Sequence, residues 1–155
     1  MRSLALVCAL AVPAHARPIR GSIAAGGALL FTGSDGDRLR NEVSADLKPR
    51  SRYGLVLGWR GFDAGSFGDG DHDGMLTAGL VYEAAAARPR LVIDLAGEVG
   101  WDLDQDAPLL GAGLRNTIGV IGPLAVVLHT SLYVVIDGGD TRVQLQGNAL
   151  VGTRW

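Results

Sequence analysis

The sequence predicts an all-β fold, an eight-stranded antiparallel up-and-down transmembrane β-barrel. Three observations lead to this prediction: apolar residues recur at every second position, the segments with this spacing number eight, and the connections between them alternate between two kinds. A spacing of two residues is typical of strands with one apolar face. An even number of antiparallel strands can close into a barrel, which leaves no open edge.

The eight alternating segments are long. They span residues 20–32, 38–48, 52–62, 75–85, 90–101, 109–121, 123–136 and 142–155. Each has at least roughly the 9 to 11 residues that a tilted strand needs to cross a bilayer. Within the fifth segment, Asp94 and Glu98 lie on one face and Leu95 lies on the other, as Leu128 does in the seventh. Glycines inside the segments ease the tight curvature of a small barrel; they are Gly54, Gly58, Gly79, Gly97, Gly100, Gly111, Gly113, Gly119 and Gly147.

The connections between the segments are of two kinds. Connections one, three, five and seven, at residues 34–37, 63–74, 102–108 and 137–141, contain eleven of the thirteen aspartates. Connections two, four and six, at residues 48–52, 86–90 and 121–123, are tight and basic or neutral. Outer-membrane barrels place short turns and both termini in the periplasm and longer loops outside. The alternation therefore predicts acidic external loops and short periplasmic turns.

Aromatic residues lie near both ends of the predicted strands. Barrels carry aromatic girdles at the two membrane interfaces. The sequence predicts one girdle at the periplasmic ends and one at the external ends: Tyr53, Tyr82 and Trp155 form the first, and Phe31, Trp59 and Trp101 form the second.

Composition excludes several classes of protein. The 155 residues carry a net charge of -2, and Lys48 is the single lysine beside thirteen arginines. No basic run is interleaved with aromatics, so nucleic acid is not an expected partner. A lone cysteine, Cys8, excludes a disulfide framework and a cysteine-based zinc site.

The amino terminus has the pattern of an export signal. Arg2 is followed by the apolar run Leu4–Val12 and then by Ala14, His15 and Ala16. A basic start, an apolar stretch and a small-x-small triplet are typical of a signal peptide. We therefore predict a signal peptide over residues 1–16 and a barrel over residues 17–155. The alternative is that residues 1–16 are a buried strand or helix of the domain.

These patterns resemble the small eight-stranded outer-membrane proteins of Gram-negative bacteria, the class that includes the OmpA transmembrane domain and OmpX-like proteins. The resemblance covers residues 20–155 and includes the terminal Arg154 and Trp155. In that class a carboxyl-terminal aromatic after an alternating strand is read by the barrel-assembly machinery, and Val151, Thr153 and Trp155 match this pattern. The resemblance implies a bacterial outer-membrane location, with outer-membrane lipid and lipopolysaccharide as neighbours.

The barrel interior is the first candidate site. An eight-stranded barrel is just wide enough inside to be filled by side chains. Opposite charges in that space can satisfy one another, whereas unpaired charges are costly. The sequence thus predicts a polar network that fills the barrel, with a narrow ion or proton path as the alternative. Its members are Arg60, Asp94, Glu98, Arg115, His129, Tyr133 and Arg154.

An acidic loop is the second candidate. Asp69, Asp71, Asp73 and Gly74 reproduce positions 1, 3, 5 and 6 of a calcium-loop pattern, but Leu80 replaces the glutamate expected at position 12. The sequence predicts no cofactor beyond weak Ca²⁺ or Mg²⁺ binding at these aspartates, the alternative being a solvated acidic loop.

A histidine and a serine form the third candidate. His129 and Ser131 lie on one face of a strand, where general-base activation of the serine is possible. This pair resembles the site of the outer-membrane lipid A deacylase family. Parity places it inside the barrel, where the histidine can instead share a hydrogen bond with the serine or a carboxylate.

The leading functional hypothesis is an integral outer-membrane barrel with a filled polar interior and a structural or loop-mediated role. The second is a soluble exported barrel of lipocalin type, which would turn its apolar face inward to hold a lipid. The third is an envelope lipid esterase that uses His129 and Ser131, and an enzyme is the less favoured class. The sequence does not identify a loop partner.

Overall fold

The computed structural model describes residues 19–32, 38–49, 51–63, 74–87, 90–103 and 105–155. Consecutive strands pair antiparallel, and β8 returns to pair with β1. This closed barrel confirms the predicted all-β, eight-stranded fold, and the predicted strand limits differ from the observed ones by two residues at most. The strands are β1 (Arg20–Thr32), β2 (Arg38–Lys48), β3 (Tyr53–Asp63), β4 (Gly74–Ala87), β5 (Leu91–Asp102), β6 (Ala107–Gly119), β7 (Leu124–Asp137) and β8 (Asp140–Arg154).

The barrel has two distinct ends. We call the end with the connections at residues 49–52, 88–90 and 120–123 the turn end; β1 begins there and β8 ends there. The opposite end, with the connections at residues 33–37, 64–73, 103–106 and 138–139, is the loop end. The predicted signal peptide, the first connection at residues 33–37 and residues 64–73 of the third connection lie outside the described residues.

The loop end differs from the sequence prediction in one respect. The sequence predicts a loop from Asp137 to Thr141, but only Gly138 and Gly139 separate β7 from β8. Both glycines have positive φ, 53° and 123°. Glycine adopts such angles readily, which permits a tight hairpin. The fifth connection is also shorter than predicted, since Asp102 belongs to β5. The contrast in length between the two ends is therefore smaller than predicted.

Side chains alternate between the two faces of the barrel wall, apart from register shifts at Arg40/Asn41 and Glu83/Ala85. On β5, Asp94 and Glu98 are buried inside, whereas Leu95 and Val99 are exposed on the outer surface. The same alternation on β7 exposes Leu128. A strand places successive side chains on opposite faces, so the parity seen in the sequence survives in the barrel.

The interior also contains apolar side chains, and of these only Tyr133 belongs to the polar network predicted from the sequence. A cluster of five buried residues, which we call the apolar cluster, lies towards the loop end. Two smaller groups lie in the middle of the barrel and towards the turn end. The interior is therefore layered along the barrel axis. The apolar cluster consists of Met75, Ala107, Leu109, Tyr133 and Val135.

The glycines within the strands do more than ease curvature. Gly111 is the cross-strand partner of Tyr133, and a Cβ at Gly111 would lie 2.3 Å from the tyrosine ring. That glycine makes room for Tyr133, the largest fully buried aromatic side chain among the described residues. Gly97, in contrast, faces open space on the outside.

Candidate functional site in the barrel interior

Arg60 is at the centre of the largest polar cluster inside the barrel. Its Nε donates to Oε2 of Glu42 at 3.2 Å, and its Nη2 donates to Oε2 of Glu98 at 3.3 Å. The hydroxyl of Tyr133 donates to the same Glu98 oxygen at 2.9 Å, and the guanidinium carbon lies 4.9 Å from the centre of the tyrosine ring. One arginine thus links β2, β3, β5 and β7 across the interior.

His129 and Ser131 complete this group, which we call the central cluster. Nε2 of His129 lies 2.7 Å from Oγ of Ser131 and 3.1 Å from Oε1 of Glu98. Its Nδ1 faces Oε1 of Glu42 at 3.9 Å, a distance too long for a hydrogen bond. The serine and the histidine are each 1% exposed. The pair therefore has the spacing of a base and a nucleophile, but neither side chain is open to a substrate.

Arg115 organises a second group nearer the turn end. Its Nη1 donates to Oγ of Ser44 at 2.6 Å, and its Nη2 donates to Oγ of Ser22 at 3.1 Å. Nε donates to Oδ1 of Asp46 at 3.3 Å, and Ser22 also donates to that carboxylate. A buried arginine with hydrogen bonds from all its nitrogens forms a satisfied ion pair.

Two further ion pairs lie on the turn-end side of Arg115. Lys48 donates to Asp94 across the interior, and Arg20 donates to Glu83 and to the backbone oxygen of Ser51. The predicted network omits Lys48 and Arg20. The alternation of side chains along a strand indicates an inward position for Lys48, because it shares its face of β2 with Asp46, two residues earlier. Lys48 belongs to both the predicted second strand and the predicted second connection; the structure places it in β2 with a buried side chain.

A cavity of about 340 Å³ opens beyond these pairs at the turn end. Arg154, the last member of the predicted network, is partly buried and lines this cavity together with Arg20 and Lys48. The structure thus distributes the seven predicted residues: four lie in the central cluster, Arg115 and Asp94 lie in separate groups, and Arg154 lies at the cavity.

Three amide side chains of β8 add polar groups to the interior. Gln144, Gln146 and Asn148 are buried, and each has at least one amide atom with no hydrogen-bond partner. Buried polar atoms of this kind are usually satisfied, often by ordered water. The row runs beside the central cluster, because Gln146 pairs with Ser131 and Asn148 pairs with His129 in the register of β7 and β8.

The outer surface is apolar and carries aromatic side chains at both ends. At the turn end the rings of Tyr53 and Tyr82 lie 5.0 Å apart, and Trp155 is exposed. Trp59 and Trp101 are exposed towards the loop end, where Nε1 of Trp101 donates to Oδ1 of Asp106 at 3.1 Å. These positions agree with the two girdles expected from the sequence; the side chain of Phe31 is outside the described set.

The described residues contain no group of three or more His, Cys, Asp or Glu side chains that could hold a metal ion. Asp69, Asp71 and Asp73 lie outside the described residues, so cation binding there stays a prediction. In the same part of the chain, no helix is long and apolar enough to cross a membrane.

Two solved structures share this fold. Neisserial surface protein A superposes with a TM-score of 0.52 over 88% of this chain and 95% of its own, at 11% identity. The attachment invasion locus protein of Yersinia pestis, solved with the heparin analogue sucrose octasulfate, has a TM-score of 0.50 over 90% of this chain and 100% of its own, at 14% identity. No family model matches the sequence, and no curated protein matches it. The chain has the architecture of the small eight-stranded outer-membrane β-barrels.

Proposed function

We propose that the protein is an integral β-barrel of the bacterial outer membrane, filled by its own side chains, with a structural role or a role in interactions through its loops. The distribution of polarity carries this proposal. Large apolar side chains are exposed on all eight strands, while arginines and carboxylates are buried inside. Soluble monomers rarely expose an apolar patch larger than a few hundred Å². A continuous apolar belt is suited to hydrocarbon instead.

A filled interior follows from the size of the inward side chains. Arg60, Arg115 and Tyr133 are among the largest fully buried residues and reach across the barrel. Their partners hold them in place, and rearranging them would expose unpaired charges, which is costly. This favours a closed barrel over an ion path.

The two other hypotheses are less well supported. A lipocalin-type barrel needs an apolar interior, but the central cluster is polar and the outer face is apolar. An esterase needs access to Ser131, and neither Ser131 nor His129 lines the cavity at the turn end. The histidine instead joins a serine and a carboxylate inside the barrel, the alternative considered from the sequence.

The orientation and partners are part of the proposal. Outer-membrane barrels have periplasmic termini, so the turn end faces the periplasm and the loop end faces outwards. Outer-membrane lipid contacts the apolar belt, and lipopolysaccharide surrounds the loop end. During biogenesis the barrel-assembly machinery recognises β8 and the exposed Trp155 that follows it.

Fractionation and gel mobility test the membrane location. The protein is expected in the outer-membrane fraction, soluble only in detergent, and an unboiled sample is expected to migrate differently from a boiled one. Detergent is needed because the outer face is apolar, and the mobility differs because the strands of the closed barrel bond to one another until boiling unfolds them. A monomer that is stable in plain buffer would contradict the proposal.

Cysteine labelling tests the orientation. In a chain that also carries Cys8→Ser, Thr141→Cys and Ile121→Cys place single exposed thiols at the loop end and the turn end respectively. In intact cells, a maleimide that does not cross membranes should label the first variant and not the second. After the cells are opened, both should react. Labelling of Ile121→Cys in intact cells would reverse the proposed orientation.

A further inference from the structure

The cavity at the turn end has the size of a ligand site. Its volume of about 340 Å³ is near the lower limit of small-molecule pockets. The first residues of β1, the last residues of β2, Val92 of β5, Thr117 of β6, and the chain end from Arg154 of β8 to Trp155 line it. None of the residues of the central cluster takes part, so the cavity is separate from that cluster, although Ser22, Asp46 and Lys48 of the neighbouring ion pairs line it.

Charged side chains of both signs face inwards around the cavity. The described residues contribute four cations and three carboxylates at this end. The cations are Arg20, Lys48, Arg115 and Arg154, and the carboxylates are Asp46, Glu83 and Asp94.

The rim of the turn end carries positive charge. Arg52 and Arg90 are exposed in the turns, and the sequence adds Arg50 and Arg88. The three connections at this end contain no aspartate or glutamate. A cleft lined by one sign of charge raises the local concentration of the opposite ion. The mouth of the cavity therefore attracts anions.

The lining offers hydrogen-bond donors beside apolar surface. Nε of Arg20 is buried without a hydrogen-bond partner, and Lys48 has an ammonium group with three protons, one of which Asp94 accepts. Guanidinium and ammonium groups are the usual partners of phosphate oxygens. Val92 and Trp155 provide apolar surface for carbon atoms attached to such a group.

We propose that the turn-end cavity binds a phosphate group, carried by a lipid headgroup or free in solution. The two sources share the same chemistry, and the experiment below separates them. The inference goes beyond the proposed function and requires only the barrel fold. In neutral detergent, phosphate binding can be absent although the protein is located in the outer membrane. Equally, the barrel can bind phosphate although the proposed membrane location is wrong.

Calorimetric titration of the barrel, refolded in a neutral maltoside detergent, tests the proposal. The probes are inorganic phosphate, dihexanoyl-phosphatidylglycerol and, as a zwitterionic control, dihexanoyl-phosphatidylcholine. Saturable binding with one site per barrel is expected for at least one of the first two probes. Binding of the phosphatidylglycerol alone identifies a lipid headgroup, and binding of inorganic phosphate identifies a free anion.

Two variants on β8 locate the site. Arg154→Gln removes a cation from the cavity lining, and Arg142→Gln makes the same change in an exposed residue at the loop end. We expect the first to weaken binding about tenfold, since a charge-assisted hydrogen bond is lost, and the second to leave it unchanged. Gel mobility before and after boiling verifies that each variant is folded.

A paired variant covers the case in which Arg154→Gln does not fold. Lys48→Gln with Asp94→Asn removes a cation from the lining and leaves a neutral pair that can still form a hydrogen bond. It should also weaken binding. No saturable binding of either anionic probe, or equal weakening by the Arg154 and Arg142 variants, would overturn the proposal.

Discussion

The two faces of the barrel wall carry opposite kinds of side chain on the same strands. On β5, Glu98 lies inside among polar groups, and Val99 lies outside on the apolar belt. Residues that are neighbours in sequence thus face different surroundings, hydrocarbon on one side and a polar interior on the other. The consequence of a substitution should depend on its face more than on its position along the strand.

Loss of a central charge should have the largest effect. Arg60→Met leaves Glu42 and Glu98 buried without their arginine. Removal of one partner of a buried ion pair typically costs about 3–5 kcal/mol. We expect a loss of this size in the free energy of unfolding, measured with urea on the barrel in lipid vesicles.

Arg142→Met provides the matched control for this variant, because Arg142 is exposed at the loop end. Its effect should be much smaller than that of Arg60→Met. Equal losses for the two arginines would mean that the central cluster has no special role in holding the interior together.

Addition of a charge to the outer face should have the next largest effect. Leu95 is 50% exposed near the middle of β5, where an arginine costs about 2–4 kcal/mol at the bilayer midplane. The adjacent Ala96 faces inside, and Ala96→Ser should cost far less. Folding efficiency into vesicles compares the two. Equal folding of Leu95→Arg and Ala96→Ser would contradict the assignment of faces.

A methyl group added to a glycine should change stability by a smaller amount, which depends on whether the glycine faces the interior or the outside. Gly111→Ala places a Cβ against the ring of Tyr133, and such overpacking typically costs about 1–3 kcal/mol. Gly97→Ala meets no atom within 4 Å, so it should leave stability unchanged or slightly raised. Urea midpoints of the two variants test this, and the prediction is wrong if Gly97→Ala is the more harmful change.

Replacement of an interior amide should have the smallest effect. Gln146 is buried, and neither polar atom of its amide has a hydrogen-bond partner. If these atoms make little contribution, Gln146→Met should change the free energy of unfolding by less than about 1 kcal/mol, the size of a typical net hydrogen bond. A larger loss would show that ordered water connects this amide to Ser131 and its neighbours.

Much of the fold follows from local pattern. A period of two residues determines which side chains share a face, and this is why Glu98 and Leu95 were assigned correctly to opposite faces. The number of strands and their limits follow from the same pattern. The hairpin at Gly138 and Gly139 was missed because aspartates on both sides suggested a longer loop.

The partners within the interior do not follow from that pattern. Lys48 on β2 reaches Asp94 on β5, and the two strands are not neighbours. Contacts across a barrel depend on the tilt and stagger of all strands together, which a single segment does not encode. For the same reason the sequence gives no indication that Met75 and Leu109 meet in the apolar cluster.

The two-glycine hairpin between β7 and β8 also has a consequence for the order of folding. It joins strands of 14 and 15 residues, the longest consecutive pair in the barrel. Closing so short a loop loses little chain entropy, whereas pairing Ser22 with Arg154 brings together residues almost a whole chain apart. Local pairings form fast and distant ones form slowly. The hairpin of β7 and β8 should therefore form early, and the pairing between β1 and β8 should form last.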